Sequence, residues 1–293
     1  MVTVVIPTYN SSQYVEKAIK SVLNQTYKNI ELLIVDDCST DNTIDVLNKY
    51  VDGNNVRIIK NKENVGVGIS RKIGINNAKG KYITFLDSDD YLLEDFIEMN
   101  VKLIEEQDAD VVYTSIGIFS PTKQFKIINA IDSMAEGDGT LNIFFWCKMN
   151  FLTGKLFKTD LVKKCKWSER RVAEDVQTMF YIMYEAKKVM SFSYLGYIHQ
   201  CRENSLMGYF KDYENDKMNH MFHNFCYNSI AEKEMLEFLI EKNDKTILKQ
   251  MYEEYFNKIK KTREFIKNKT LPTETYLKYK DLWDEVDNFY PKD

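Results

Sequence analysis

The sequence predicts an α/β fold: a mostly parallel sheet flanked by helices, with a helical extension at the C-terminus. Over residues 1–115, short β-branched runs alternate with amphipathic helical stretches, which is typical of repeated βαβ units. The runs are continuously apolar, as expected of strands buried on both faces. From about residue 211, apolar side chains recur at helical spacing. We therefore expect a domain over 1–210, with halves 1–115 and 116–210, and a helical extension over 211–293.

The individual elements follow from local signals. Pro7 lacks an N–H for a strand ladder and is expected to end the first strand. The cluster Asn10, Ser11 and Ser12 is expected to cap the first helix, and the cluster at 39–41 the second. The predicted order is strand 2–6, helix 14–23, strand 30–35, helix to 50, strand 56–59, helix 66–78, strand 82–86, helix 94–106 and strand 110–115. Beyond 116 the pattern is less regular and predicts a hairpin over 118–128, a strand over 152–157 and a helix over 174–186.

Composition excludes several classes of protein. The 40 basic and 44 acidic residues give a net charge of -4, so nothing indicates a nucleic-acid partner. No run reaches the ~18 apolar residues of a membrane span, and the N-terminus lacks the basic region of a signal peptide. The five cysteines are odd in number and form no CxxC pair, which predicts a reduced, cytoplasmic protein without structural zinc.

Polar residues follow three of the predicted strands directly. Residues 8–10 follow the first strand, Asp36 and Asp37 the second, and residues 87–89 the fourth. Ligands of open α/β sheets bind beyond the carboxyl ends of the strands. One crevice should therefore collect all three groups.

The acidic run Asp87, Ser88, Asp89 and Asp90 is the strongest chemical signal in the sequence. Three carboxylates in four residues repel one another unless a positive group lies among them. A hard divalent cation with oxygen ligands, Mg²⁺ or Mn²⁺, fits this demand and can bridge two phosphates. The alternative interpretation is a solvated acidic turn that caps the next helix.

Two further features near the crevice have paired interpretations. A carboxylate at Asp36 or Asp37 can accept hydrogen bonds from a nucleobase imide or a ribose hydroxyl, or it can cap a helix together with Asp41. Arg71 lies in a stretch with Gly66, Gly68 and Gly74. Its guanidinium suits the oxygens of a diphosphate, while the glycines alone indicate a helix packed closely on the sheet.

The second half offers an acid–base candidate and a histidine. Glu174 and Asp175 open a predicted helix, where one carboxylate either takes a proton from an acceptor hydroxyl or only complements the helix dipole. His199 follows an apolar run, so a satisfied strand histidine is the default, and a metal or phosphate ligand is the alternative.

Six motifs in order resemble the family 2 glycosyltransferases with the GT-A fold, over about residues 1–207. These are the segments 4–10, 27–41, 64–80, 85–90, 154–157 with Glu174 and Asp175, and 202–205. The acidic run is similar to the DxD motif of that family, and Glu174 with Asp175 to its ED motif. The resemblance implies a Rossmann-like GT-A sheet, a nucleotide-sugar donor and a divalent cation, Mn²⁺ or Mg²⁺.

The resemblance also implies site residues. Asp175 would be the base of an inverting, single-displacement transfer, and Asp89 the direct metal ligand. The donor would be held by Pro7, Thr8, Tyr9, Asn10, Asp36, Asp37, Arg71, Asp87, Ser88 and Arg202, and the metal by Asp87, Asp89 and the candidate His199.

The expected function is transfer of a sugar from a UDP-sugar to the hydroxyl of a glycan, a lipid-linked glycan or another acceptor, in bacterial surface polysaccharide or glycoconjugate synthesis. Lipid-linked acceptors of such enzymes would bring peripheral contact with the inner face of the membrane. The apolar stripe of the tail would pack on the acceptor side or form a homodimer contact. Two alternatives stay open: a sugar nucleotidyltransferase, and a non-catalytic module that binds nucleotide-sugars.

Overall fold

The computed structural model describes residues 1–51, 55–120, 123–130, 132–137, 140–141, 151–168, 174–201, 217–267, 277 and 280–289. The chain divides into two compact units. The first comprises Met1–Arg171 and Thr178–Arg202, and the second comprises Val172–Gln177 and Glu203–Asp293. Each unit is described by itself.

The first unit is built on one mixed sheet of ten strands. The strands are β1 (Val2–Thr8), β2 (Ile30–Asp36), β3 (Val56–Lys60), β4 (Tyr82–Phe85), β5 (Tyr91–Leu92), β6 (Val111–Ser120), β7 (Lys123–Ile128), β8 (Ser133–Glu136), β9 (Lys155–Lys158) and β10 (Lys188–Gln200). Their order is β3-β2-β1-β4-β9-β6-β10-β5, with β7 paired to β6 and β8 to β10.

The sheet is mostly parallel, as the sequence predicts. Strands β1 to β4 pair in parallel, and β6 pairs in parallel with β10. Strand β9 lies antiparallel between β4 and β6, so those two strands still point the same way. Strands β5, β7 and β8 are antiparallel additions to the second half. The predicted α/β class is confirmed.

Helices connect the strands of the first unit. They are α1 (Val15–Leu23), α2 (Thr43–Asn48), α3 (Val67–Asn77), α4 (Phe96–Glu106), α5 (Thr159–Lys164) and α6 (Glu174–Glu185), of which Glu174–Gln177 belong to the second unit. The predicted helices differ from these bounds by only a few residues.

The core sits between the sheet and its helices. Every residue of β1 is buried, because the strand lies in the middle of the parallel sheet with layers on both faces. Val4 and Ile6 pack with Ile19 of α1 in one apolar cluster. On the other side α3 lies very close to β1, since a Cβ built on Gly74 would be 2.4 Å from Cγ1 of Val5. Burial of each such side chain contributes about 1.5–3 kcal/mol.

Two local predictions are wrong. Strand β1 does not end at Pro7 but continues to Thr8, with Pro7 opposite Val35 in β2. The proline is tolerated because β4 pairs with β1 only as far as Val5, so the side where its N–H is missing has no ladder partner. The polar cluster after β1 does not cap α1 through its side chains either; the helix begins after Tyr14 with no side-chain cap.

The second unit is helical, as predicted for the tail. It contains α7 (Lys217–Glu241), α8 (Lys245–Lys267) and α9 (Lys280–Phe289). Part of its apolar stripe is buried: Leu236, Leu239, Met251, Tyr255 and Ile259 are at most 7% exposed, whereas Ile240 is 56% exposed. Four further members of the stripe are half-buried: Ile247, Leu248, Tyr252 and Phe256. None of the helices in the described ranges combines the length and apolar character that crossing a membrane requires.

Candidate functional site

The carboxyl ends of β1, β2 and β4 lie next to one another in the first unit, as the strand order predicts, and the polar region at these strand ends is called the crevice. The backbone N–H of Asp37 donates to the carbonyl of Thr8 (2.8 Å), which ties the segments after β1 and β2 together. Asn10 adopts a left-handed conformation, and its Oδ1 accepts from the backbone N–H of Thr40 at 2.8 Å. Tyr9 beside it is 47% exposed.

Asp37 organises the loop that leads into α3. Its Oδ1 accepts from Asn61 Nδ2 (2.8 Å) and from the backbone N–H of Val65 (2.9 Å), and its Oδ2 accepts from the N–H of Gly66 (2.8 Å). Gly66 has a φ of 94°, which a residue with a Cβ would adopt only under strain. Asp37 therefore fixes the start of the helix that carries Arg71.

Thr8 and Asp36 form an incompletely satisfied pair at the base of the crevice. They lie opposite each other in the register of β1 and β2, and both are buried. Asp36 Oδ2 accepts from the N–H of Ser39 (3.2 Å), but Asp36 Oδ1 and Thr8 Oγ1 have no hydrogen-bond partner within the described part of the chain. A buried unsatisfied polar group costs about 1–3 kcal/mol. Such groups concentrate where a ligand or an ordered water completes the arrangement.

Two contacts, one from α3 and one from the segment after β1, hold the acidic loop Asp87–Asp90. Arg71 Nη2 lies 2.8 Å from Asp87 Oδ1, and the arginine is only 3% exposed while the aspartate is 34% exposed. Ser88 Oγ lies 2.8 Å from Oγ of Ser11. Asp87 and Asp89 are half-buried. The acidic turn is therefore part of the crevice and is not merely a solvated cap.

The third acid of the loop, Asp90, faces the strand β10 instead. It accepts from Tyr197 Oη (2.5 Å) and from the backbone N–H of Gln200 (2.9 Å), and His199 Nδ1 lies 3.2 Å away. Nothing in the sequence distinguishes Asp90 or Tyr197. Asp90 is one more charge of the acidic run, and Tyr197 is one more member of an apolar strand.

The ionisation of this cluster follows from burial and from like charges. Burial raises the pKa of Asp90, and the charge of Asp87 adds to this, while the hydrogen bond to His199 opposes it. The same hydrogen bond raises the pKa of His199 against its own burial. Burial next to Asp90 raises the pKa of Tyr197 well above its ordinary value, which keeps the phenol protonated as a donor.

The residues of the loop fit a hard divalent cation. Among the residues that the structure describes, no three His, Cys, Asp or Glu side chains are arranged to hold a metal. A site with one or two carboxylates, completed by water and by substrate phosphates, is the usual protein environment of Mg²⁺. Asp87 and Asp89 offer such carboxylates, and their mutual repulsion is relieved by positive charge. His199 remains a prediction as a ligand.

Two predicted site residues are not among the described residues of the first unit. Asp175 is in the first turn of α6 and belongs to the second unit, where it and Glu174 are half-buried. Arg202 lies outside the residues that the structure describes. Their assignments to base catalysis and to donor binding stay predictions.

Comparisons with known proteins bear on the family. The profile of the family described as Glycosyl transferase family 2 matches residues 3–176. Glycosyltransferase GlyG of Streptococcus pneumoniae serotype 4 (strain ATCC BAA-334 / TIGR4) is 31% identical over 224 residues, which cover 71% of this chain and 73% of GlyG. TuaG of Bacillus subtilis (strain 168), a glycosyltransferase assigned to teichuronic acid biosynthesis, is 33% identical over 151 residues, which cover 50% of this chain and 60% of TuaG.

Solved structures share the fold. Residues 1–349 of S. aureus TarS, in complex with UDP-GlcNAc, superpose with a TM-score of 0.63 at 22% identity, covering 98% of this chain and 90% of that one. The mannosyltransferase PcManGT from Pyrobaculum calidifontis, in complex with GDP-Man and Mn²⁺, gives a TM-score of 0.56 at 16% identity, covering 78% of this chain and 63% of that one. At these identities the likeness shows the GT-A-like fold alone.

Proposed function

This chain belongs to glycosyl transferase family 2, and we propose that it transfers a sugar from a UDP-sugar to an acceptor hydroxyl with inversion, assisted by Mn²⁺ or Mg²⁺. The observation that carries the proposal is the crevice at the carboxyl ends of β1, β2 and β4. It joins an incompletely satisfied polar pair, Thr8 and Asp36, to a loop of carboxylates held by Arg71. A donor with a base at one end and a diphosphate at the other matches this division.

The base and ribose are assigned to the end of the crevice nearest β2. Asp36 carries a buried acceptor oxygen without a partner, and a uracil imide N–H or a ribose hydroxyl is the kind of donor that it lacks. Pro7, Thr8, Tyr9 and Asn10 line the same end, and Asp37 holds the loop beside it. The UDP-GlcNAc complex of TarS supports a uridine nucleotide.

The diphosphate is assigned to the end near β4, with Arg71, Ser88 and Arg202 as its contacts. Asp87 and Asp89 would hold the cation, which when bound neutralises the negative charge that develops on the departing diphosphate. Arg71 already neutralises Asp87 in part, so the loop keeps its shape before donor arrives. The Mn²⁺ complex of PcManGT supports a metal-assisted reaction.

Asp175 is assigned as the base. In a single displacement the acceptor oxygen attacks the anomeric carbon on the face opposite the diphosphate, and the acceptor proton passes to a carboxylate. The carboxylate at the start of α6 is offered for this role by its match to the ED motif. By analogy with TuaG, we propose a glycan or lipid-linked glycan of the bacterial surface as the acceptor.

A thermal-shift panel tests the donor and the metal. UDP-, GDP- and dTDP-sugars are added with Mn²⁺, with Mg²⁺ or with EDTA. A ligand at about 100 times its dissociation constant should stabilise the native chain by about 2.7 kcal/mol. We expect a rise in melting temperature for UDP-sugars with metal, and a much smaller one with EDTA. A rise with GDP-sugars alone would overturn the choice of nucleotide, and no rise with any donor would overturn the proposal.

Asp175→Asn tests the base. The amide keeps the shape of the side chain but cannot take a proton, so transfer should fall by about 10²- to 10⁴-fold while the donor-induced thermal shift persists. Glu174→Gln is the matched control at the neighbouring position. Full transfer activity of purified Asp175→Asn would remove this residue from the mechanism.

A further inference from the structure

We propose that Asp90 and Tyr197 are positioning residues that hold the acidic loop in the shape that receives the cation and the donor's diphosphate. This inference rests on the proposed function, because it concerns the same loop. Neither side chain needs to touch donor or metal. Both act through Asp87 and Asp89, and the argument for them comes from the contacts beneath the loop.

One phenol hydroxyl contacts both ends of the loop. Tyr197 Oη accepts from the backbone N–H of Asp87 (3.3 Å) and donates to Asp90 Oδ2 (2.5 Å). The loop closes on itself as well, because the N–H of Asp90 donates to the carbonyl of Asp87 at 3.0 Å. The one hydroxyl therefore contacts both residues that flank the Ser88–Asp89 turn.

The second oxygen of Asp90 fastens the loop to the end of β10. Asp90 Oδ1 accepts from the backbone N–H of Gln200 (2.9 Å), and the aspartate is only 1% exposed. The chain directly after Asp90 then forms β5 and pairs with β10, Leu92 opposite Tyr197. Side-chain and backbone hydrogen bonds thus attach the same loop to the same strand.

An irregularity in β10 sets the direction of Tyr197. The register of β10 against β6 shifts between Phe192 and Leu195 and again between Leu195 and Tyr197. At the shift a Cβ on Gly196 would lie 2.6 Å from Cδ2 of Phe96, so the strand can approach α4 only because this residue is glycine. β-Bulges of this kind re-aim side chains and are common beside active sites.

Stability alone gives little reason for such an arrangement. Asp90 is a buried carboxylate close to two further carboxylates, and burial of a charge is unfavourable until its hydrogen bonds compensate. An apolar contact between the loop and β10 would be at least as stable, but it would not fix the backbone of Asp87 by a directed bond. Groups that orient metal-binding side chains typically change metal affinity by 10- to 100-fold when removed.

Tyr197→Phe tests the proposal against a matched control on the same strand. Tyr194 also donates its hydroxyl to a carboxylate, that of Asp95, but this pair has no contact with the acidic loop among those the structure describes. Tyr194→Phe therefore removes a comparable bond elsewhere. Titration calorimetry with Mn²⁺ and UDP, and urea unfolding, are measured for both variants and the native chain.

We expect both variants to lose comparable stability and only Tyr197→Phe to weaken binding of UDP in the presence of Mn²⁺, by about tenfold. Asp90→Asn should also weaken the binding of UDP, but by less than Tyr197→Phe does. Its amide oxygen still accepts one hydrogen bond, while its NH₂ group opposes the second donor. If Tyr197→Phe and Asp90→Asn both bind UDP in the presence of Mn²⁺ with the affinity of the native chain, the positioning role is overturned. Equal weakening in Tyr194→Phe would overturn it too, since the effect would then follow stability. If the wild-type chain binds no nucleoside diphosphate with Mn²⁺, the proposed function falls, and this inference falls with it.

Discussion

The two ends of the parallel sheet treat buried carboxylates differently. At the amino end of β2, Glu31 is 4% exposed and both of its oxygens are engaged: by Thr3 Oγ1 (2.6 Å) and the N–H of Lys79 (2.9 Å) on one side, and by Arg57 Nη2 (2.6 Å) on the other. At the carboxyl end of the same strand, Asp36 is fully buried, and one of its oxygens has no partner among the residues that the structure describes.

The contrast separates groups that stabilise the fold from groups that await a ligand. A carboxylate such as that of Glu31, with both oxygens engaged, stabilises the native state because it recovers the hydrogen bonds that it had in water, although Nε of the adjoining Arg57 has no partner among the described residues. An open one leaves its desolvation uncompensated until something binds. We therefore expect substitutions at the amino end to change stability and substitutions at the carboxyl end to change function. The following predictions test this division, from the largest expected effect to the smallest.

Asp89→Ala, a substitution at the carboxyl end of the sheet, should strongly reduce sugar transfer without unfolding the chain. Loss of a group that stabilises charge in the transition state typically costs 10²- to 10³-fold in rate, about 2.7–4 kcal/mol. The melting temperature without ligand should stay the same or rise, since one of three neighbouring carboxylates is removed. Transfer with Mn²⁺ and thermal unfolding measure the two effects. An active variant would show that the loop does not carry the chemistry.

Glu31→Gln should do the reverse at the amino end. The amide leaves Arg57 without a charged partner and turns one acceptor into a donor, so the free energy of unfolding should fall by about 2 kcal/mol. Urea unfolding measures this loss. At temperatures where the variant is folded, transfer should stay within about twofold of the native rate. A stable variant with impaired transfer would contradict the division.

A matched pair of Thr→Val changes compares the two ends on one strand, β1. Thr3 Oγ1 donates to Glu31 and accepts from the N–H of Gly80 (2.9 Å), so Thr3→Val should destabilise by about 1–2 kcal/mol. Thr8 Oγ1 is buried without a partner, so Thr8→Val should be neutral or stabilise by about 0.5–1 kcal/mol. Urea unfolding of both variants measures the difference. Equal losses would mean that Thr8 is already satisfied, for instance by an ordered water.

The stability that Glu31 supplies should depend on pH. Burial would raise the pKa of Glu31, but its hydrogen bonds with Thr3, Lys79 and Arg57 outweigh burial and hold the pKa below the ordinary value of 4.5. A lowered pKa in the folded state means that the contribution is complete above pH 4.5 and is lost as pH falls through the folded value. The difference in unfolding free energy between native and Glu31→Gln chains should therefore shrink below that pH. If this difference in unfolding free energy grows as the pH falls, the pKa of Glu31 is raised in the folded state and not lowered.

The sequence predicts the first half of the fold well because its signals are local. In each βαβ unit a β-branched run predicts the strand, and apolar residues at helical spacing predict the helix. The strand order then follows from short right-handed connections. The place of β9, at Lys155–Lys158 between β4 and β6, has no such signal, since it depends on which edge the returning chain can pair with. The two-residue strand β5 is too short for any periodic pattern.

The site divides in the same way. Asp36, Asp37, Asp87 and Asp89 are predicted because they lie at or shortly after the ends of strands, and the end of a strand can be recognised in the sequence. Tyr197 was not, because its role depends on an irregular strand that brings residue 197 beneath residue 90. A buried tyrosine in an apolar run looks like core, and only the partner of its hydroxyl distinguishes it.

The proline in β1 has one more consequence. Since Pro7 offers no N–H on the side of β4, the hydrogen bonds between these two strands end with the one from the N–H of Leu86 to the carbonyl of Val5 (3.0 Å). Replacing the aspartates of the loop by residues that favour strands should therefore not make the loop pair with β1 as a continuation of β4. The open edge at the loop is therefore a property of the backbone of β1, and it should persist when the side chains of the loop are changed.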